Sequence, residues 1–282
     1  MTYAEVDKSK VSPMMQHYLS VKEEYPDCIL FYRLGDFYEM FFDDAVEVSR
    51  ALELTLTGRA CGLDERAPMC GIPFHAYETY MTRRVEKGYK VAICEQLENP
   101  EEAQGIVKRG VIRIVTPGTN TSISDMDSSV NSYIMCIFYS SCPFGAAIAD
   151  VTTGEFSVME TEDGKSLTDE IIRFAPKEII CNEAFFMSGI DAEELRQAHH
   201  IQINSLPGRY FDERSTSGAL KDHFRVSDTD GLGLRDMPQA ISAAGALLIY
   251  LTETQKNDLG NIIHIGILRE KGFMMIDSST RR

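Results

Sequence analysis

Just past a Gly35-Asp36 turn signal stand Phe37, Tyr38 and Glu39, in the stretch FYRLGDFYEMFFDDA, with Asp36, Asp43 and Asp44 close by. On an extended segment Phe37 and Glu39, two apart, point the same way. A ring beside a carboxylate makes a poor core pair. It suits a surface that meets a base stack, where the ring slides over a base and the carboxylate hydrogen-bonds the base edge. The plainer reading makes Phe37 and Tyr38 core aromatics of an edge strand with Glu39 solvated, and periodicity by itself leaves both open.

Other chemistry-bearing stretches have weaker claims. The run Asp163-Gly164-Lys165-Ser166 matches the end of a phosphate-binding loop, but Met159 stands where that loop needs its first Gly, so a surface turn before a helix at Leu167 is the expectation. Asp150 closes a strand-like run with Glu155 just beyond, as a two-metal nuclease would place one of its carboxylates. Asp169 and Glu170 lie on a helical stretch that does not converge with them, and a turn-forming Asp is the simpler account. The six histidines, among them His75 and the His199-His200 pair, show no metal-ligand spacing and no nucleophile arrangement.

The elements that must carry these residues are legible in outline. Ser12-Pro13 opens a helix that ends at Pro26-Asp27, and CILFYRL is a buried strand. FYEMFF either returns as the second strand of a hairpin or leads into the helix DDAVEVSRALEL, and residues 57–73 read as loop. HAYETYMTRRVEKGY is a helix stopped by Gly88, and KVAICEQL and GVIRIVTPGT are strands. The composition then turns polar and Ser-rich over NTSISDMDSSVNS, the expected linker. Beyond it three strand-like runs precede a helix and a strand, and a long helix follows with Asp236 as cap and Pro238 in its first turn. The final HIGILREKGFMMIDSSTRR looks like strand material with nothing left to pair against.

At 282 residues the chain is long enough for two domains, and its 44% hydrophobic and 25% charged content fits a globular protein. A net charge of −15 excludes a generally basic nucleic-acid binder, so any DNA contact must be local. Residues through Thr116 carry 14 basic and 19 acidic side chains, a net −5, and the remainder carries −10. The seven cysteines form no CxxC pair and read as free thiols of a reducing cytoplasm. No secretory signal follows Met1, and AISAAGALLIYL is too short to span a membrane.

Together SPMMQHYLSVKEEYPDCILFYRLGDFYEMFFDDA, APMCGIPFHA, VAICEQL and VIRIVTPGT resemble the amino-terminal part of the bacterial MutS family of DNA mismatch recognition proteins. Through DVTTGEF the resemblance runs into that family's connector domain, and it ends at MMIDSSTRR, where the helical core begins. It implies an α/β (α+β) fold of two mixed-sheet domains flanked by helices, the second RNase H-like. The mismatch-recognition domain would occupy 1–119, a linker 120–132, the connector 133–264, and the start of a third domain 265–282. The family's Phe-X-Glu motif falls on Phe37 and Glu39, which the resemblance assigns to stacking on, and hydrogen bonding of, a mispaired or unpaired base from the minor groove. Leu34 stands where relatives often carry Met, and Arg59, Met69 and Arg113 fall where the family approaches the DNA backbone or groove.

The implied partners are mismatched double-stranded DNA and, through the connector, MutL. The family's lever, clamp and ATPase domains are not covered, so ATP and Mg²⁺ are expected elsewhere, with no cofactor or enzymatic step in these residues. A homodimer is expected of the full-length protein, a monomer of this amino-terminal piece, and a cytoplasmic, nucleoid-associated location with no membrane contact. Two other readings stand beside this one. One is a protein-interaction module with vestigial DNA contact, and the other a metal-dependent nuclease.

Overall fold

The computed structural model describes residues 2–98, 105, 107–120, 131–257 and 259–268. Its contacts form two units, one of residues 1–133 and 250–260, the other of 134–249 and 261–282. The linker expected over 120–132 and the third-domain start over 265–282 fall mostly on 121–130 and 269–282, outside the described residues.

In the first unit Pro13, whose fixed φ suits a first helical position, opens α1 (Pro13–Glu24). The apolar run that follows forms β1 (Cys28–Leu34), and β2 (Phe37–Phe41) returns antiparallel to it. Helix α2 (Phe42–Leu52) starts at the next residue, so FYEMFF is both return strand and helix start. Residues 57–73 are not simply loop. They hold β3 (Thr57–Arg59) and β4 (Ala67–Pro73). Their Gly and Pro residues suppress the strand signal, but β4 lies between β2 and β3 and buries Ala67, Cys70 and Ile72, so packing overrides propensity. After α3 (Tyr77–Val85) come β5 (Lys90–Gln96) and β6 (Arg109–Val115). The sheet order is β3-β4-β2-β1-β5-β6, mixed because β1 and β5 run parallel.

Alternate residues of the central strands feed two cores. Leu30, Tyr32, Ala92 and Cys94 pack with Met15, Tyr18 and Leu19 of α1. Ile29, Phe31, Val91 and Ile93 pack with Val48 of α2 and with Met81 and Val85 of α3. The β1–β2 register runs inward only as far as Tyr32–Glu39. Beyond it Asp44 of α2 accepts the Leu30 N–H at 2.9 Å and pairs at 2.9 Å with Lys22 Nζ of α1, which also donates to the Cys28 carbonyl at 2.6 Å. Burial pushes the Asp44 carboxyl above its usual range, and the Lys22 ammonium opposes that shift.

The second unit contains β7 (Tyr133–Phe138), β8 (Phe144–Asp150) and β9 (Glu155–Thr161), then α4 (Gly164–Phe174) and β10 (Glu178–Cys181). They are followed by α5 (Ala192–His199), β11 (Gln202–Ser205), α6 (Glu213–Phe224), α7 (Pro238–Gln255, of which residues 238–249 lie in this unit) and β12 (Gly266–Ile267). The order β11-β10-β7-β8-β9-β12, with β10 parallel to both β7 and β11 and β8 antiparallel to β9, makes a second mixed sheet.

Three expectations are corrected here. Gly164, Lys165 and Ser166 are the first turn of α4, whose N–H groups at Lys165 and Ser166 are taken by the Asp163 carboxylate. At the start of α7 the Gln239 and Ala240 N–H groups go to Glu160 of β9, both at 3.0 Å, where the sequence pointed to Asp236. Finally, Gly266–Ile267 does pair, parallel to Ser157 and Val158, because β9 offers an open backbone edge. Gly145 of β8 is obligatory: a Cβ there would lie 2.0 Å from the Gln239 carbonyl oxygen.

Candidate nucleic-acid interface

The β1–β2 connection is two residues long, with Leu34 paired to Phe37 and a positive φ of 57° at Gly35, as a type II′ turn requires at its first position. Strand alternation then sends Phe37 and Tyr38 to opposite faces. Tyr38 is buried, with its ring 5.0 Å from that of Tyr77 and 6.1 Å from that of Phe31, and its hydroxyl donates to the Glu95 carboxylate. Burial, and then that carboxylate, push the Tyr38 phenol well above its ordinary range. Phe37 stands out at the hairpin tip, 47% exposed. The plainer reading therefore holds for Tyr38 and not for Phe37.

The tip is braced from behind. Arg33 Nε donates to the Gly35 carbonyl at 2.5 Å, its guanidinium lies 3.8 Å over the Phe74 ring, and the Phe74 N–H donates to the Asp36 carbonyl at 2.9 Å. These contacts fix the turn without touching Phe37.

Glu39 shares the face of Phe37 and lies opposite Tyr32 on one side and Gly71 on the other. Gly71 leaves that row bare, since a Cβ there would lie 3.6 Å from Glu39 Cγ and 3.8 Å from Phe37 Cδ1. The Glu39 carboxylate is ion-paired with Arg59 of β3. Leu34, half-buried, sits across the ladder from Phe37, and Met69, paired with Phe41, lies one row behind Glu39.

Thus Leu34, Phe37, Glu39, Arg59 and Met69 share one region of one face. Arg113 does not join them: it pairs with Ile93 on the opposite face, and its Nη2 donates to the Thr119 carbonyl at 2.6 Å. Burial lowers the Arg113 pKa, against the pull of Tyr77 and Glu78.

Sequence reasoning passed over Arg109. From β6 its Nε donates to the Arg33 carbonyl at 2.8 Å and its guanidinium lies 5.4 Å from the Tyr32 ring, next to the Glu39 row. Tyr32 in turn hydrogen-bonds His17 Nδ1 at 2.8 Å. Burial, followed by the Arg109 charge, holds the His17 pKa below its usual value. Only the pairing of β1 with β5 and β5 with β6 assembles this group, so no local motif could have revealed it.

Asp150 takes the turn-forming role that its place in the sequence also offered. Asp150 Oδ1 accepts the Thr152 N–H at 2.8 Å within its own turn, and among the described residues no group of three or more His, Cys, Asp or Glu could hold a metal. Among the described residues, no helix is long and apolar enough to cross a membrane.

The family model for MutS domain I matches residues 12–124, and that for MutS domain II matches residues 132–263. The chain is 50% identical over 274 residues to the DNA mismatch repair protein MutS of Lachnoclostridium phytofermentans, covering 97% of this chain and 29% of that protein. It is 46% identical to the protein of the same name from Acetivibrio thermocellus, over 97% of this chain and 32% of that one. The MutS of Clostridium beijerinckii is 48% identical over 96% of the chain and 29% of its own length. The chain thus spans about three tenths of the length of these curated relatives.

Proposed function

This chain belongs to the MutS family, spanning its domains I and II, and on that premise we propose that it reads mispaired or unpaired bases in duplex DNA for mismatch repair. The observation that carries the reading is the division of labour in the hairpin. Phe37 is exposed beside Glu39 while its neighbour Tyr38 is locked in the core.

Phe37 enters the minor groove and stacks at the mispair, and Glu39 accepts a hydrogen bond from the base. Direct readout is a poor basis for this task, because the minor-groove pattern is degenerate. Deformability is a better one: a mispair has already lost stacking and pairing, so kinking the duplex there costs less by a few kcal/mol. The stacking contact then contributes about 1–3 kcal/mol whatever the base, so one wedge serves many mismatches. Arg109 supplies local positive charge of the kind a chain of net −15 needs to meet phosphates, while the charge of Arg59 is offset by Glu39.

The second domain acts as the connector, offering MutL a surface on which Phe186 and Met187 are exposed. Its net acidity fits a protein partner better than DNA. ATP, Mg²⁺ and homodimerisation belong to the part of the family's proteins beyond these residues, which carry no catalytic step. The only nucleotide-like run, Gly164–Ser166, does not fit a phosphate, because Asp163 already occupies its N–H groups. The protein works in the cytoplasm at the nucleoid.

The test is binding of the chain, at low salt, to a duplex with one G·T mispair or one unpaired T and to the matched homoduplex. A preference for the flawed duplexes should disappear in Phe37→Ala, a loss of roughly 5- to 150-fold by the stacking energy above. Equal binding to all duplexes by the unaltered chain would overturn the reading for these domains.

A further inference from the structure

The following rests on the reading of Phe37 and Glu39 as the mispair-reading pair. Arg59 lies on β3, two strands from Glu39, and its side chain, 37% exposed, reaches diagonally across β4 to the Glu39 side chain, only 15% exposed. Phe37, on the same face, is 47% exposed. Arg59 thus engages Glu39 Oε2 from the β3 side, so an approaching base edge and Arg59 compete for one carboxylate.

We infer that Arg59 is a latch on the reading site. It is the resting counter-ion of Glu39, stays paired on perfect duplex, and moves to a DNA phosphate when Glu39 turns to a mispaired base. The chemistry allows the exchange. A guanidinium carries five N–H donors and binds phosphate through two of them in parallel, whereas its bond to Glu39 runs through Nη1. A partly exposed ion pair is weakly held, so a phosphate brought alongside competes for it. While the latch is closed the pair is neutral and does not repel approaching DNA. When it opens, the carboxylate is discharged onto a base and the cation onto a phosphate, which happens only where a base can be tilted to meet Glu39. Arg59 is then a positioning residue whose phosphate contact is conditional on the mispair.

Conditional contact has a signature that a merely structural Arg lacks. Each phosphate contact contributes about 0.9 to the slope of log affinity against log salt, about a threefold change in affinity between about 50 and about 200 mM. Slopes would be measured for the chain, Arg59→Gln, Arg59→Lys, Glu39→Gln and the Arg59→Gln/Glu39→Gln double variant, on the G·T duplex and its homoduplex. The expected result is that Arg59→Gln lowers the slope by about one contact on the G·T duplex and leaves the homoduplex slope unchanged. Arg59→Lys should restore the slope. In the Glu39→Gln background, where nothing holds Arg59 back, its removal should lower both slopes.

Equal slope losses on the two duplexes with Glu39 intact would make Arg59 an ordinary phosphate contact and overturn the latch, as would no loss on either. A second arm needs no DNA: the guanidinium nitrogen resonances of Arg59 in the free chain should move on Glu39→Gln, and unchanged resonances would also overturn it. If the unaltered chain binds both duplexes alike, the mispair reading fails and the latch with it. That outcome is distinct from a preference that survives with equal slopes, which removes the latch only.

Discussion

Replacing Lys22 by Met tests what holds the β1–β2 hairpin in place. The Lys22 and Asp44 side chains are 5% and 7% exposed, and between them they bind the Cys28 carbonyl and the Leu30 N–H. Lys22→Met leaves a buried carboxylate without its cation, and breaking a buried pair from one side costs about 3–5 kcal/mol. Adding Asp44→Asn removes the stranded charge while keeping an acceptor for Leu30, so the double variant should recover most of that loss.

The pH dependence follows from the same geometry. Burial already raises the folded-state pKa of Asp44, with Lys22 opposing, so removing Lys22 raises it further. A carboxyl whose folded pKa lies above its unfolded one contributes most below the unfolded pKa, and that contribution is lost as pH rises through the folded pKa. The Lys22→Met deficit should therefore be large near neutrality and shrink as the solution is acidified. Amide hydrogen exchange at Leu30 and its β1 neighbours reads this locally, without assuming that two domains unfold together. A deficit under about 1 kcal/mol near neutral pH, against the cost expected for a stranded buried charge, would refute the reasoning. So would a deficit that does not change on acidification.

Gly145→Ala should lose at least the 1–3 kcal/mol typical of overpacking, since backbone and not a flexible side chain fills the space beside it. Thermal or denaturant unfolding of the second domain would show this, and a wild-type profile would contradict the close approach of α7. For His17 the folded pKa lies below the unfolded one, so its contribution is complete above the unfolded value and is lost as pH falls through it. A proton NMR titration of the His17 ring should give a midpoint below that of an unstructured histidine, and a midpoint at or above it would sink the proposed burial against Tyr32 and Arg109.

Elements with their own signal were legible from sequence. The apolar runs of β1 and β5 and the Pro-started α1 and α7 declare themselves locally, and so does the same-face spacing of Phe37 and Glu39. What stayed hidden depends on distant partners. Strand β4 is written in Pro, Cys and Gly, and only its seat between β2 and β3 makes it a strand. With 57–73 read as loop, nothing placed Arg59 in register to reach Glu39, 20 residues earlier. Glu160 lies 79 residues before Gln239, whose N–H it accepts, whereas Asp236 offered the adjacent choice that local rules favour. The short β12 had a free edge to join, but that edge belongs to β9, over 100 residues away.

The alternation at Phe37 and Tyr38 bears on how this hairpin can change over evolutionary time. A substitution at 37 acts on the outer surface and leaves the core alone, while one at 38 disturbs the core and leaves the outer surface alone. The two positions can drift separately. A one-residue insertion or deletion in β2 would exchange their faces together, placing the locked ring outside and the reading ring within. A point change in the hairpin therefore touches one face at a time, whereas a change in the spacing from Gly35 to Glu39 disturbs both at once.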